Sequence, residues 1–413
     1  MSSQHLNQLI NETQQKPEVH ITMTGPLTGI KILDLAAVLS GPLAATWLCD
    51  QGAEVIKVES FVGDIMRHSI KGSNGLNAIF VSGNRGKNGI ALDLKTQAGI
   101  DVVKRMVPEI DVVIQNFRPG VIERMGLGYE TLKDINPAIV YCSISGFGNK
   151  GPYTNKRIYD PIIQAMSGLN AIQGGPDGPP KMIRTLMPDV VTALTAAQSI
   201  TAALWSRERT GEGQHITVAM IDAMIALTWP DAMIGNMLVD GSEPGVPDRG
   251  DDLLYKTADG YITAGAVSQN EWQGMCRALG HEEWLDNERL NTPARRAGRT
   301  DEMAEILGPI LATKPSQHWL DLFDENGVPC GPVLTCAEIP DNEQIIANEL
   351  IEVLDHPGLG QIRQSRPAAR FSGTPAKIQG PAPKLGENSR SILAQFGYSD
   401  GEVDDLFAKK IVR

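Results

Sequence analysis

Cysteine is scarce in this 413-residue chain: Cys49, Cys142, Cys276, Cys330 and Cys336 are an odd set without C-x-x-C spacing. That pattern excludes a disulfide framework and a thiolate zinc site. Reduced thiols, and a cytoplasmic protein, are the expectation. Histidine is equally sparse, seven residues with no H-E-x-x-H, so no metal site is expected. Positive charge is in deficit, 37 Lys and Arg against 49 Asp and Glu. A net charge of −12 argues against a nucleic-acid or anionic-membrane partner, since either needs a basic face. Long apolar runs are missing outside the neighbourhood of Val190 to Trp205, whose Ala, Thr and Ser content and charged flanks mark a buried helix. Residues 1–24 lack the basic start and apolar core of a secretory signal and read as a flexible tail. With 42% hydrophobic and 21% charged residues, the remainder has the composition of an ordinary globular chain.

From Gly29 the pattern alternates between two periods. "KILDLAAV" reads as a buried strand, "GPLAATWLCDQG" as a helix closed by glycine and "AEVIKVE" as the next strand. "GIALDL", "DVVIQN" and "AIVYCSISGF" continue the strands, and "TQAGIDVVKRMVPEI" is an amphipathic helix with Ile100, Val103, Met106, Val107 and Ile110 on one side. The prediction is an α/β fold with a mostly parallel sheet covered on both faces. Ligands of such sheets bind beyond the carboxyl ends of the strands, here the loops after Val38, Glu59 and Asn116. "LSGPLAA" supplies one glycine instead of G-x-G-x-x-G, so a dinucleotide is not expected. Further on, "DGSEPGVPDRGDD" reads as a linker or mobile loop, and "YKTADGYITAGAV" as a hairpin turning at Asp259-Gly260. Helices are expected near Glu271–Leu279 and Arg299–Leu311. The division expected is a large domain of residues 25–225 and 340–413, a smaller α+β domain at 240–335, and linkers at 226–239 and 336–339.

Several residues carry candidate chemistry, each with a plainer reading beside it. Arg85 and Lys87 in "GNRGKNGIALDLK", and Arg118 and Arg124 in "QNFRPGVIERMG", form a basic rim suited to phosphates, or are separate solvated charges. Asp189 is the one acid at the head of "MPDVVTALTAAQSITAALW", where an N-cap and a nucleophile are both consistent with it. Asp160, just before Pro161, is a cap or a second acid. A carboxylate that attacks a thioester forms a mixed anhydride, which keeps the acyl group activated for exchange. "QGGPDGPP", Gln173 to Pro180, offers backbone N–H groups to an oxyanion or is a set of plain turns. Arg184 and Arg249 are candidates to pair a second carboxylate of a dicarboxylic acid, or are surface charges.

Taken in order, "GPLTGIKILDLAAVLSGPLAATWLCDQGAEVIKVE", "NRGKNGIALDLK", "VVIQNFRPGVIERMGLGYETLKDINPAIVYCSISGFGNKGPY", "YDPIIQAMSGL", "DVVTALTAAQSITAALWSRERTGEGQHITVAM" and "NGVPCGPVLT" resemble the class III CoA-transferases. That family includes formyl-CoA:oxalate and carnitine CoA-transferases and the related α-methylacyl-CoA racemase. The resemblance implies an intertwined homodimer, each chain with a large Rossmann-like domain and a smaller one. It implies acyl-CoA and a small carboxylic acid as the partners, the CoA thioester being substrate and not a resident cofactor. Asp189 falls on the family's nucleophile, which forms an acyl anhydride and then an aspartyl-CoA thioester, and the positive helix end would keep its carboxylate ionised. Asp160 falls on an assisting acid. Leu39, Ser40, Leu92, Asn116, Phe117, Arg124 and Arg157 fall where relatives contact CoA, with Lys87 near its phosphates. Leu39 replaces a glutamine of the formyl-CoA:oxalate enzymes, and "VPDRGDDLLYKTADGYI" lacks their glycine run. Tyr159-Asp160 stands where the racemase has His-Asp, and a phenol with a pKa near ~10 exchanges α-protons poorly near neutrality. A CoA-transferase is therefore expected, with a 2-methylacyl-CoA racemase or a non-catalytic CoA-binding protein as alternatives.

Overall fold

The apolar runs become strands in the computed structural model, which describes residues 24–73, 75–175, 178–240, 253–296 and 299–413. The first half alternates β1 (Lys31–Asp34), α1 (Ser40–Asp50), β2 (Glu54–Glu59), α2 (Ala78–Asn84), β3 (Asn88–Ala91), α3 (Gln97–Met106), β4 (Val112–Gln115) and β5 (Val140–Ser145). After α4 (Asp160–Met166) and α5 (Met187–Thr210), β6 (His215–Ala219) completes a six-stranded sheet in the order β3-β2-β1-β4-β5-β6. Ile32 of β1 stands opposite Val55 and Val112, and β1 to β5 pair in parallel throughout. This is the doubly wound order, whose reversal lies between β1 and β4.

The expected stripe on α3 is the reason the helix docks. Ile100, Val103 and Met106, with Val107 and Ile110 just beyond, share one buried cluster with Leu33, Ile56 and Val113 of the sheet. Each such side chain contributes about 1.5–3 kcal/mol on burial. Thr96 caps α3 by accepting from Gly99 N at 3.1 Å.

Beyond the sheet, β7 (Leu254–Lys256) and β8 (Tyr261–Ala264) form the expected hairpin, closed by Thr257 N donating to Gly260 O at 3.0 Å. α6 (Gln269–Leu279), α7 (Thr300–Leu311) and α8 (Ser316–Glu325) follow, and β9 (Cys330–Pro332) pairs with β8. Trp272, Phe323, Ile262 and Leu311 centre the core there. α9 (Ser389–Gln395) and α10 (Asp400–Ala408) close the chain, and Ile392, Leu393 and Val403 join the cluster under α3. Two compact units result: one of the residues up to Ser143 with Ala196–Ile216 and Val353–Arg413, the other of Ile144–Thr195 and Thr217–Glu352. Among the described residues no helix is long and apolar enough to cross a membrane. All five cysteines are free; burial pushes the Cys49 and Cys142 thiols up to about 12.

Candidate active site

In the first unit a cavity of about 530 Å³ opens at the carboxyl ends of β1 to β4. Its walls come from Leu35 to Ala37 after β1, Val58 to Ser60 and Asp64 around the end of β2, Asp93 to Lys95 after β3, and Phe117, Arg124 and Met125 after β4. Parallel strands bring these loops together because every strand ends on the same side.

Three of the wall residues, Lys57, Glu59 and Asp64, belong to a buried ion lattice. Lys57 Nζ lies 3.1 Å from Asp64 Oδ2 and 3.8 Å from Asp34 Oδ2, and donates to Ala36 O at 2.9 Å. Burial opposes the Lys57 charge, but Asp34, Asp64 and Glu59 outweigh it and hold its pKa above the usual lysine range. Burial likewise opposes ionisation of Asp34, and Lys87 with Lys57 overcomes it, so that carboxyl sits below its ordinary value. Arg67 forks onto Glu59 at 2.8 and 2.6 Å, and Glu59 Oε1 also accepts from Asp64 N at 2.8 Å.

The lattice meets strained backbone. Val38 has φ +71°, a left-handed conformation that costs a β-branched residue about 1–3 kcal/mol. Its N–H donates to Asp64 Oδ1 at 3.1 Å. Asn116 holds the preceding residue from both sides, accepting from Ala37 N at 2.8 Å and donating to Ala37 O at 2.7 Å. Gly41 explains the lone glycine of "LSGPLAA": a Cβ there would come within 2.3 Å of the Ala36 Cβ.

The expected binding residues fall into three groups. Phe117 and Arg124 line the cavity, and Asn116 shapes it through Ala37. Leu39 and the buried Ser40 lead from Val38 into α1, while Leu92 is fully buried behind Asp93. Lys87 does not offer a free ammonium to a phosphate, contrary to expectation. It precedes β3, its side chain is fully buried, and Nζ donates to Asp34 Oδ2, Pro42 O, Gly83 O and Asn84 Oδ1 at 2.8–3.0 Å. Burial pulls it down to about 8 against the pull of Asp34. Arg85 is also structural, forked onto buried Asp50 at 3.2 and 2.7 Å. Two lysines line the cavity: Lys57, held in the ion lattice, and the exposed Lys95, after β3, at the end of the same "GKNGIALDLK" segment. The carboxyl-end rule was signal enough to prefer Lys95.

The two candidate acids lie in the second unit. α5 begins at Met187, and Val190 N donates to Leu186 O, so Asp189 is not the N-cap but a first-turn residue. Its own N–H, one of those a helix start leaves without an intrahelical partner, donates to Asp160 Oδ2 at 3.3 Å. Asp160 Oδ1 accepts from Gln164 Nε2 at 2.7 Å, one turn along α4. Gln164 is buried and also holds the segment ahead of α5, donating to Ile183 O and Thr185 O at 3.2 Å and accepting from Ile183 N at 3.1 Å. Burial raises the Asp160 pKa, and the hydrogen bonds from Gln164 and Asp189 N offset that in part. Asp160 and Asp189 are 4% and 7% exposed, so bulk water has little access to either side chain. Arg157, Tyr159 and Arg184 are exposed, and Arg249 lies outside the described residues. In the glycine segment, a Cβ on Gly178 would come within 2.0 Å of Gly174 O, so its glycines serve a tight turn; Pro176 and Asp177 lie outside the described residues.

Comparison with known proteins decides what this arrangement belongs to. Residues 27–389 match the family model of CoA-transferase family III. The chain belongs to CoA-transferase family III. Succinyl-CoA:glutarate CoA-transferase of Mus musculus is 34% identical to this CoA-transferase over 96% of its chain and 92% of the relative's. Succinate–glutarate CoA-transferase of Agrobacterium fabrum is 36% identical over 90% and 95%. A CAIB/BAIF family protein from Brucella suis has the same fold, with TM-score 0.79, 35% identity, and coverage of 90% of this chain and 100% of that one.

Proposed function

We propose that the protein moves CoA from an acyl-CoA to a free carboxylic acid with Asp189 as nucleophile. The carboxylate attacks the thioester carbonyl and expels the CoA thiolate, leaving an acyl-aspartyl anhydride. The thiolate returns to the aspartyl carbonyl, releasing the donor acid as its carboxylate and forming an aspartyl-CoA thioester. The acceptor carboxylate attacks that thioester, giving a second anhydride and free thiolate. Attack of the thiolate on the acceptor's carbonyl yields the new acyl-CoA and regenerates Asp189. Nothing is oxidised, and the thioester energy is conserved through four exchanges.

The observation that carries this reading is a nearly buried aspartate in the first turn of a 24-residue helix, with its backbone anchored by a second buried acid, at the position to which the sequence resemblance assigns the nucleophile. The positive end of the helix favours negative charge there. Asp160 acts by positioning, and as an acid whose raised pKa suits it to hold a proton beside the developing intermediates. The first unit's cavity takes the CoA moiety, with Arg124 and Lys95 meeting its phosphates and Phe117 its apolar surface. The relatives' names favour four- and five-carbon dicarboxylates as the acids exchanged. Two copies form the working unit, a reading supported by Leu194 and Trp205, which are 55% and 67% exposed along α5.

The test is to incubate the protein with succinyl-CoA and trap the intermediate with borohydride, which reduces an aspartyl thioester to the alcohol. Peptide mapping should place the reduced residue at 189. Full transfer activity in Asp189→Ala would refute the assignment.

A further inference from the structure

We propose that Asp64 is a positioning residue for CoA-thioester binding, acting by holding Val38 in its left-handed conformation so that the loop from Ala36 to Leu39 keeps the shape of a cavity wall. The inference rests on the reading of the first unit's cavity as the CoA site. It goes further by naming what shapes that site.

Three consecutive residues of the loop are held from outside it. Asp34 Oδ1 accepts from Ala36 N at 3.0 Å, and Lys57 Nζ donates to Ala36 O. Asn116 brackets Ala37. Only the Asp64 bond falls on the residue whose φ is unfavourable. The other bonds orient peptides that any residue adopts, whereas this one opposes relaxation of a strained one.

Asp64 is itself secured. Its N–H donates to Glu59 Oε1, Glu59 is forked by Arg67, and the Arg67 guanidinium stacks 3.7 Å from the Phe80 ring. Asp64 Oδ1 accepts a second bond from Met66 N at 3.0 Å, and Lys57 stands at Oδ2. The carboxylate therefore has little freedom to follow Val38 if that residue relaxes. It also lines the cavity, so the same side chain fixes the loop and forms part of the wall that the loop completes. Strain held by a neighbouring element is a way to preorganise a site before ligand arrives.

This account makes a demand that a purely structural role for Asp64 does not. If the carboxylate works by opposing strain at position 38, glycine at 38 should remove the need for it, because glycine adopts positive φ without penalty. The experiment measures free CoA binding by calorimetry, together with KM and kcat for succinyl-CoA. The proteins are the wild type, Asp64→Asn, Asp64→Ala, Val38→Gly and the Val38→Gly/Asp64→Ala pair. Asp64→Ala should weaken CoA binding and raise KM about tenfold, with kcat within about twofold. Asp64→Asn, which retains Oδ1 as acceptor, should fall between it and the wild type. Val38→Gly should bind CoA within about threefold of the wild type, and the pair should recover to a similar level.

The proposal is overturned if Asp64→Ala binds CoA like the wild type, if kcat falls while KM holds, or if the pair binds as weakly as Asp64→Ala alone. Should Asp64→Ala melt too low to assay because Lys57 loses its partner, Asp64→Asn takes its place, and a Val38→Gly/Asp64→Asn pair that binds CoA as weakly as Asp64→Asn alone counts against the proposal. A folded wild type that binds no CoA would remove the reading of the cavity, and this inference with it. Wild-type binding together with an indifferent Asp64→Ala would remove the inference alone.

Discussion

The cavity walls and the segment around Asp189 are held by opposite means. In the first unit Asp34, Asp50, Glu59 and Asp64 are buried together with Lys57, Arg67, Arg85 and Lys87, and ion pairs close among them. In the second, Asp160 is held by an amide side chain and a backbone N–H, and among the described residues no cation pairs with it. The difference matches the two jobs proposed for them. A binding wall must keep one shape, and buried opposite charges penalise every arrangement that separates them. A carboxylate that works beside reacting acyl groups is better served by neutral donors, because a tightly paired cation would pin its charge and depress its pKa. Ionic contacts thus hold the cavity wall, and neutral donors hold Asp160.

Four measurements sharpen or break that contrast. The largest effect should come from Asp189→Asn, which ought to lower kcat for CoA transfer by about 10³-fold or more while free CoA binds as before. A parallel loss of CoA affinity would show that the nucleophile's surroundings also hold the nucleotide. Asp34→Ala should instead act on stability, leaving Lys57 and Lys87 without their shared carboxylate. Removing one partner from a buried ion pair costs about 3–5 kcal/mol, read as a fall in denaturant midpoint. If the midpoint holds, the lattice is not what keeps the wall in place.

Gln164→Ala is expected to be milder, about 1–3 kcal/mol, since it removes neutral hydrogen bonds to Asp160, Ile183 and Thr185. Its kcat should fall without a matching change in KM for the CoA thioester. The smallest effect should be a pH dependence at His215, whose Nε2 lies 2.8 Å from Ser143 Oγ and whose ring stacks on Tyr129. Desolvation lowers its pKa, with Glu123 and Glu130 pulling the other way. As pH falls below the unfolded value near ~6.5, the unfolded chain takes up the proton first, so acid costs the folded protein stability. Melting temperatures should therefore drop between pH 7.5 and 5.5 more for the wild type than for His215→Gln. Parallel curves would mean that the imidazole is freely solvated.

Much of the architecture was readable without coordinates. Strand and helix periods depend on neighbours a few residues apart, which is why the alternation from β1 to β5, the apolar stripe of α3 and the Asp259-Gly260 hairpin were evident locally. Asp189 stood out as the one acid at the head of an apolar helix and Asp160 as an acid just before a proline, and the resemblance gave them roles. The precise start of α5 did not follow, since a cap depends on which carbonyl takes the first helical bond, and that proved to be Leu186.

What the sequence determined by itself was the order of elements, the sheet rim where a ligand would lie, and which residue types were on offer there. Only the tertiary structure decided their use. It turned Lys87 inward onto Asp34, 53 residues away, and left Lys95 facing the cavity. It also set Val38 against Asp64, 26 residues away, and Asn116 around Ala37, 79 away. Local periodicity specifies which way a backbone runs, but the partner of a buried charge is chosen by the parallel register that brings distant loops to one end of the sheet.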